Sequence, residues 1–596
     1  MNEAPMTSQT DYANSAAGSG AGHAGIVSLL ATLIRLVRAS GESGKLLWLV
    51  AALVMVVAAT AYAQIRLNAW NEPFYDAINS RDIAAFGFEL GVYAMIAGTL
   101  LVLNVSQTWL NLMMKLKLRE ILTRDLFQQW LAPRRAFMIA NAGPIGVNPD
   151  QRIHEDARHF TELSTDLGVG LFQATLLLVS FIGVLWSLSS GVSFTFEGSS
   201  FVVPGYMVWS ALLYAGLASL ASWRVGRPLV NLNAERYARE SDMRFSLVRV
   251  NQNCDGVAVY RGEAQERGRL DVEFNRLLDV VRRLVGATTR LAWVTAGYGW
   301  FTIVAPVIVA APAYFAGNLT FGGLLMAVGA FTQVQQSLRW FVDNANPIAD
   351  WKATLLRVSE FRQALIDIDR TEQDARRIEI AETDSRIVLD DVNVLLPPGR
   401  SSLSVRRVAI SPGERVVIVG GPSSGKTSLF RALAGLWPWG TGHVELPAED
   451  VMFMPKHPYL PGGSLRDVLA YPYPPEKFSD ADFYAALNAM GLPHLVSALD
   501  TAAPWEKELS DPEQQGLAFA RLLLHGPRWV VIDTAIDTLS PQTRRALFDA
   551  LRKELPQTSV LAISGVENKY DFFDRLIRLS LRLENDGAEG LSATSV

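Results

Sequence analysis

Gly420-Gly421-Pro422-Ser423-Ser424-Gly425-Lys426-Thr427 is the stretch from which the rest of this chain is read. It follows a β-branched run at 414–419 and precedes a helical pattern at 428–436. Strand, glycine-rich loop, Lys-Thr and helix, in that order, are what a phosphate-binding P-loop requires. Loop amides and the helix N-terminus direct N–H donors at an anion, and Lys426 adds a point charge. Thr427 offers its hydroxyl to a Mg²⁺ ion bridging the phosphates. All eight residues are therefore expected to bind nucleotide. The competing reading is a glycine-rich turn that only lets a helix pack on a sheet.

The surrounding chain has 596 residues, too many for one ordinary domain. Hydrophobic residues make up 49% and charged residues 19%, with a mean hydropathy of +0.17, which is apolar for a soluble protein. A net charge of -5 and a pI of about 5.9 give no reason to expect a nucleic-acid partner. The single cysteine, Cys254, excludes an intramolecular disulfide framework and a cysteine-based zinc cluster. It reads as a small buried or neutral residue. Residues 1–25 are rich in Ala, Gly and Ser and lack the charged start and apolar centre of a secretory signal. They are expected to form a disordered cytosolic tail.

About six apolar runs, at 46–65, 90–110, 167–188, 201–222, 291–316 and 318–338, contain no Asp, Glu, Lys or Arg. Each is close to the ~20 residues that span a bilayer. A charge at the centre of such a helix costs roughly 2.5–3.5 kcal/mol on insertion scales, so six uncharged runs predict a polytopic membrane protein. The stretch after the second run carries Lys115, Lys117, Arg119, Arg124, Arg134, Arg135, Arg152 and Arg158. The stretch after the fourth carries six arginines between Arg224 and Arg249, and more up to Arg290. Between the third and fourth runs Glu197 is the only charge, and the turn after the fifth run has none. The excess of basic residues places both basic stretches, both termini and the P-loop domain in the cytosol. Both stretches are helix-patterned with few Pro or Gly, so the helices are expected to run well beyond the bilayer. Gly and Pro break the pattern at 143–150, where the tip of the first cytosolic loop is expected. Such loops either carry coupling helices toward a nucleotide-binding domain or merely cap the bundle.

Several stretches resemble a known family. Leu67-Asn68-Ala69-Trp70-Asn71-Glu72-Pro73-Phe74-Tyr75-Asp76-Ala77 resembles the peptide-uptake permeases typified by SbmA and BacA. So do Asn148-Pro149-Asp150-Gln151-Arg152-Ile153, Trp340-Phe341-Val342-Asp343-Asn344 and Asp350-Trp351. The fusion to a P-loop domain, with Leu433-Ala434-Gly435-Leu436-Trp437-Pro438-Trp439-Gly440, looks like the ATPase-bearing branch, which is similar to peroxisomal acyl-CoA half transporters. The resemblance implies an α-helical membrane domain of ABC exporter type, with about six transmembrane helices, followed by an α/β P-loop ABC ATPase domain. The expected division is a tail at 1–25, a transmembrane domain at 26–350, a linker at 351–385 and a nucleotide-binding domain at 386–596. It further implies ATP and Mg²⁺ as ligands and a second copy of the chain, or a homologous half transporter, as partner. The cargo implied is peptides or bulky solutes such as cobalamin, taken up across a bacterial inner membrane.

Against that family the ATPase motifs depart. Trp529-Val530-Val531-Ile532-Asp533 reads as the strand that ends in a Mg²⁺-holding aspartate, but the glutamate expected next is Thr534. A threonine does not accept a proton at neutral pH, and losing a general base costs roughly 10²–10⁴-fold in rate. The glutamine that senses Mg²⁺ becomes Lys456. The signature motif reads Leu509-Ser510-Asp511-Pro512-Glu513-Gln514, with Ser510, Pro512, Glu513 and Gln514 in its working positions. Pro512 stands where a glycine N–H approaches phosphate and has no N–H to give. The aspartate of the dimer-contact loop becomes Ser540, and the switch histidine falls at Glu567. In the P-loop, Pro422-Ser423 replaces the usual Ser-Gly, and Leu396 takes the approximate place of the adenine-stacking aromatic. The metal ligands expected through nucleotide are Thr427 and Asp533; no residue is assigned a catalytic role. Three readings follow: a transporter with impaired or absent ATP hydrolysis, a conventional ATP-hydrolysing transporter, and a non-transporting membrane receptor or scaffold. For the first, proton coupling through Glu89, Glu162, Asp166 or Asp343 is an expectation to be weighed against their being solvated or structural charges.

Overall fold

A computed structural model of the chain describes residues 35, 38 and 41–583, apart from 142–145, 147, 190–192, 197–198, 372–377, 384–385, 397–398, 449 and 566–570. The expected tail at 1–25 and the Glu567 position lie outside the described residues. The chain divides into two compact units between Ile366 and Asp367.

The first unit is helical: α1 (Ser43–Asn79), α2 (Ile83–Trp130), α3 (Ala157–Ser189), α4 (Tyr206–Gln252), α5 (Glu263–Phe315), α6 (Phe321–Asp343) and α7 (Ala345–Thr371), the last of which crosses the division. Among the described residues, four stretches are long and apolar enough to cross a membrane: α1, α2, Pro149–Ser189 and α5. The other two uncharged runs lie in α4 and α6, where Ser210, Tyr214, Ser219 and Ser222, or Gln333, Gln335 and Gln336, dilute the apolar residues. The run at 201–222 also starts later as a helix than expected. Phe201 and Val202 belong instead to a hairpin of β1 (Ser193–Phe196) and β2 (Ser199–Val202), and Gly205 at φ 67° opens α4.

At about 1.5 Å per residue, the 48 residues of α2 and the 53 of α5 far exceed the ~30 Å hydrocarbon core. Asp82 starts α2 by accepting from Ala84 N at 2.9 Å and Ala85 N at 3.0 Å. The break in the first basic stretch is occupied by short helices, Arg135–Ala140 and Pro149–Gln151, and a π-helical turn, Arg152–Asp156. The second basic stretch breaks at Asn253 before a short helix, Cys254–Val259; Cys254 is exposed there rather than buried.

The family-like motifs turn out to be packing devices. On α1, Asn68, Glu72 and Asp76 recur every four residues and so share one face. Asn68 donates to Met326 O at 3.2 Å, and Asp76 accepts from Gly322 N at 2.8 Å. A Cβ on Gly322 would collide with the Glu72 carbonyl, so α6 approaches α1 backbone to backbone. On another face, Trp70 and Phe74 stack at 4.3 Å, and Trp70 Nε1 donates to Glu89 O on α2 at 2.9 Å. Trp351 donates to Ser164 on α3 at 2.8 Å, and the Arg152 guanidinium lies over the Phe361 ring at 5.7 Å. Two forked ion pairs hold α7: Arg357 on Asp156 at 2.9 and 3.0 Å, and Arg362 on Asp125 at 2.7 and 3.3 Å.

The second unit is built on a ten-stranded mixed sheet. Its strands are β3 (Glu379–Thr383), β4 (Ile387–Leu396), β5 (Gly399–Leu403), β6 (Arg407–Ile410), β7 (Arg415–Gly420), β8 (Gly440–Pro447), β9 (Val451–Met454), β12 (Trp529–Asp533), β13 (Ser559–Ser564) and β14 (Arg575–Leu583). A separate pair, β10 (Gly463–Ser464) and β11 (Ala502–Ala503), lies apart from it. The order is β3-β8-β4-β5-β14-β7-β13-β12-β9, with β6 paired to β4. Strand β3 falls within the expected linker at 351–385, whose first part is α7. Strands β14, β7, β13, β12 and β9 run parallel, and the central β7, β13 and β12 are apolar on both faces. Val416 and Ile418 pack with Leu429 and Leu433 of α8 (Lys426–Leu433), whereas Val417 and Val419 face the opposite core, which holds Phe519 and Leu522 of α9 (Asp511–His525). That is why the run before the P-loop is continuous rather than alternating.

Candidate functional site

The site lies at the carboxyl ends of β7, β13, β12 and β9, the position at which parallel sheets bind ligands. The P-loop connects β7 to α8 as expected. Ser423 at φ 59° and Gly425 at φ 85° both adopt the left-handed region. Only glycine enters that region freely, so Ser423 is strained there. Gly425 also needs its missing side chain for space: a Cβ would lie 2.5 Å from Leu396 and 2.9 Å from Ser401. Leu396 thus packs on the loop itself. Ser401 Oγ donates to Ser424 O at 2.5 Å and fixes the loop from below.

Lys426 Nζ donates to Gly420 O at 2.8 Å and Gly421 O at 2.6 Å, folding over the loop. Burial lowers its pKa, while Asp537 and Asp533 oppose that shift. Asp533 ends β12, only 2% exposed, and burial raises its carboxyl. The Thr427 and Thr534 hydroxyls, and the charges of Arg431 and Lys456, act in the opposite direction. Its Oδ1 is buried without a hydrogen-bond partner. An orphaned carboxylate oxygen next to a threonine hydroxyl is a fitting pair of hard ligands for Mg²⁺, and the loop beside them fits nucleotide phosphates.

Thr534, at φ 47°, donates its N–H to Ile563 O at 2.8 Å, holding the end of β12 against β13. The carboxylate that does stand here is Asp537, which the sequence reading passed over. It accepts from Ser564 Oγ and from Gly565 N, each at 2.7 Å, and a Cβ on Gly565 would lie 3.5 Å from it and 3.9 Å from Lys426 Nζ. A second aspartate four residues after Asp533 was the available signal. Lys456 leaves the neighbouring strand β9, and Gln515, 5% exposed, donates to its carbonyl.

The signature residues sit at the start of α9. Ser510 donates through N at 3.0 Å and Oγ at 2.6 Å to Glu513, whose pKa those bonds lower; His494 meets the same carboxylate at 3.1 Å. Pro512 occupies the second helical position, where a missing N–H costs the helix nothing. Gln514 is spent on Glu506 O and Leu509 O, each at 2.9 Å. Ser540 caps α10 (Pro541–Glu554) by accepting from Thr543 N at 3.1 Å. Among the expected proton carriers, Asp166 pairs with Lys115 at 2.7 Å and Asn111 at 3.0 Å, Glu162 with Arg158 at 3.5 Å, and Asp343 with Arg339 at 3.0 Å. Each of these three carboxylates therefore has a cationic neighbour.

The ABC transporter transmembrane region 2 family matches residues 33–315, and the ABC transporter family matches 403–537. An uncharacterised ABC transporter ATP-binding protein of Synechocystis is 30% identical over 80% of this chain and 72% of its own length. The chain belongs to the ABC transporters. It is one half of such a transporter, with membrane and ATP-binding regions fused. This ABC half transporter is also 26% identical to the Escherichia coli inner membrane ABC transporter ATP-binding protein YddA, over 87% of this chain and 91% of that one. It is likewise 26% identical to the mouse lysosomal cobalamin transporter ABCD4, over 80% and 82%. In fold it matches a bacterial Atm1-family ABC exporter with ATP bound, at TM-score 0.62 and 15% identity, covering 87% of this chain and 91% of the exporter.

Proposed function

We propose that this ABC half transporter moves peptides or other bulky solutes inward across a bacterial inner membrane, and that its ATP hydrolysis is impaired or absent. It works as a homodimer, or with a homologous half, with both termini and the ATP-binding domain in the cytosol. The observation carrying this reading is Thr534, whose N–H is committed to Ile563 and whose hydroxyl acts on Asp533. No carboxylate stands at the position that polarises the attacking water in active relatives. Lys456 and Pro512 weaken the same reaction from two other directions. The nucleotide-binding residues are Gly420 to Thr427 with Asp533, and Mg²⁺, when bound, has Thr427 and Asp533 as ligands and neutralises phosphate charge.

Cargo class and direction rest on the SbmA- and BacA-like motifs and on the bacterial relatives. Uptake is supported over a scaffold role by the long transmembrane helices with polar inner positions, such as Gln335 and Tyr298. The test is nucleotide binding and hydrolysis by the purified chain in lipid. Wild type is expected to bind ATP with turnover close to background, and Lys426→Ala to abolish binding. Rapid Mg²⁺-dependent turnover, removed by the same substitution, would favour a conventional transporter instead.

A further inference from the structure

We propose that Lys456, which leaves the sheet on the same edge as Asp533, is a built-in cation of the nucleotide site and that its ammonium holds the phosphates of a nucleoside di- or triphosphate without a divalent ion. This rests on the nucleotide-binding reading above and deepens it. Strands β9 and β12 are parallel neighbours in the register Met454 to Ile532. Adjacent strands lie about 4.8 Å apart, so their chains leave the sheet side by side. Asp533 is one residue past that pair and Lys456 two, both on the carboxyl edge where the P-loop also opens. Gln515 fixes the Lys456 backbone by donating to its carbonyl, leaving the side chain free to choose its partner.

Two features show what that partner lacks at present. Asp533 Oδ1 is buried without a donor, and Lys456 is exposed at the mouth of the site with no ion pair among the described residues. A bound phosphate adds negative charge between Lys426 and Lys456, which then act as two jaws, one from the loop and one from β9. In a site with a neutral glutamine here, that second positive charge has to come from a metal ion. An ammonium donates hydrogen bonds to phosphate but, lacking a free lone pair, does not ligate Mg²⁺. The substitution therefore shifts charge neutralisation from the ion to the protein.

The experiment is equilibrium titration of ATP onto the full-length chain in lipid nanodiscs, in EDTA and in Mg²⁺. Wild type is expected to bind with affinities that differ only a few-fold between the two media. Lys456→Gln should lose about tenfold or more in EDTA, the scale of a charge-assisted hydrogen bond, and recover most of it in Mg²⁺. Lys456→Arg should keep the EDTA affinity, which a merely structural role for the backbone would not distinguish. Wild-type binding that collapses in EDTA, or Lys456→Gln binding as well as wild type there, overturns the proposal while leaving the nucleotide site intact. Absence of ATP binding in both media overturns the nucleotide-binding reading as well.

Discussion

Position 534 concentrates the chemistry of the proposed loss of ATP hydrolysis. Its hydroxyl neither accepts a proton at neutral pH nor orients water as a carboxylate does, and Asp537 nearby is engaged by Ser564 and Gly565. Thr534→Glu alone is expected to leave phosphate release near background, because Pro512 and Lys456 persist. Combined with Pro512→Gly and Lys456→Gln, it should raise turnover by about 10² or more, measured as Mg²⁺-dependent phosphate release in lipid. Full activity from the single change would show that Thr534 was the only defect. Most of these residues were legible in the sequence once it was set beside the family's motifs. Asp537 was not, because its importance comes from donors at the end of β13, 27 and 28 residues away in sequence and adjacent only once β12 and β13 pair.

Helix contacts explain what the family-like motifs do. The Leu67–Ala77 motif carries two faces, one against α6 and one against α2, and both depend on exact backbone proximity. Gly322→Ala forces a Cβ into the Glu72 carbonyl, and overpacking of this kind costs about 1–3 kcal/mol. The expected outcome is a lower onset of thermal aggregation in detergent, whereas Gly98→Ala in α2, with open space around it and ordinary helical φ, leaves that onset unchanged. The forked pair Arg357–Asp156 gives a second test, since Asp156 is 7% exposed and Arg357 is about half exposed. Removing one buried partner strands the other, so Arg357→Ala should destabilise more than the double replacement Arg357→Ala/Asp156→Ala. A double-mutant cycle on thermal stability in which the two single changes simply add would dismiss the coupling.

At the scale of the molecule, the lone cysteine makes the proposed topology measurable. Cys254 is exposed in the short helix after α4, within the second basic stretch. A membrane-impermeant maleimide should label it in inverted inner-membrane vesicles and spare it in intact spheroplasts; the reverse pattern would place the basic stretches outside. The amino-acid sequence alone determined the two-part plan, because uncharged runs of bilayer length and a strand–loop–Lys-Thr–helix order leave few alternatives. Set beside the family's motifs, it also located the positions expected to depart from the ATPase pattern. Only the tertiary structure decided how the altered residues combine. Which carboxylate oxygen is left buried without a donor, and which charges in the helices are paired off, depend on strand register and interhelical distance. Those come from packing between segments remote in the chain, which local pattern does not encode.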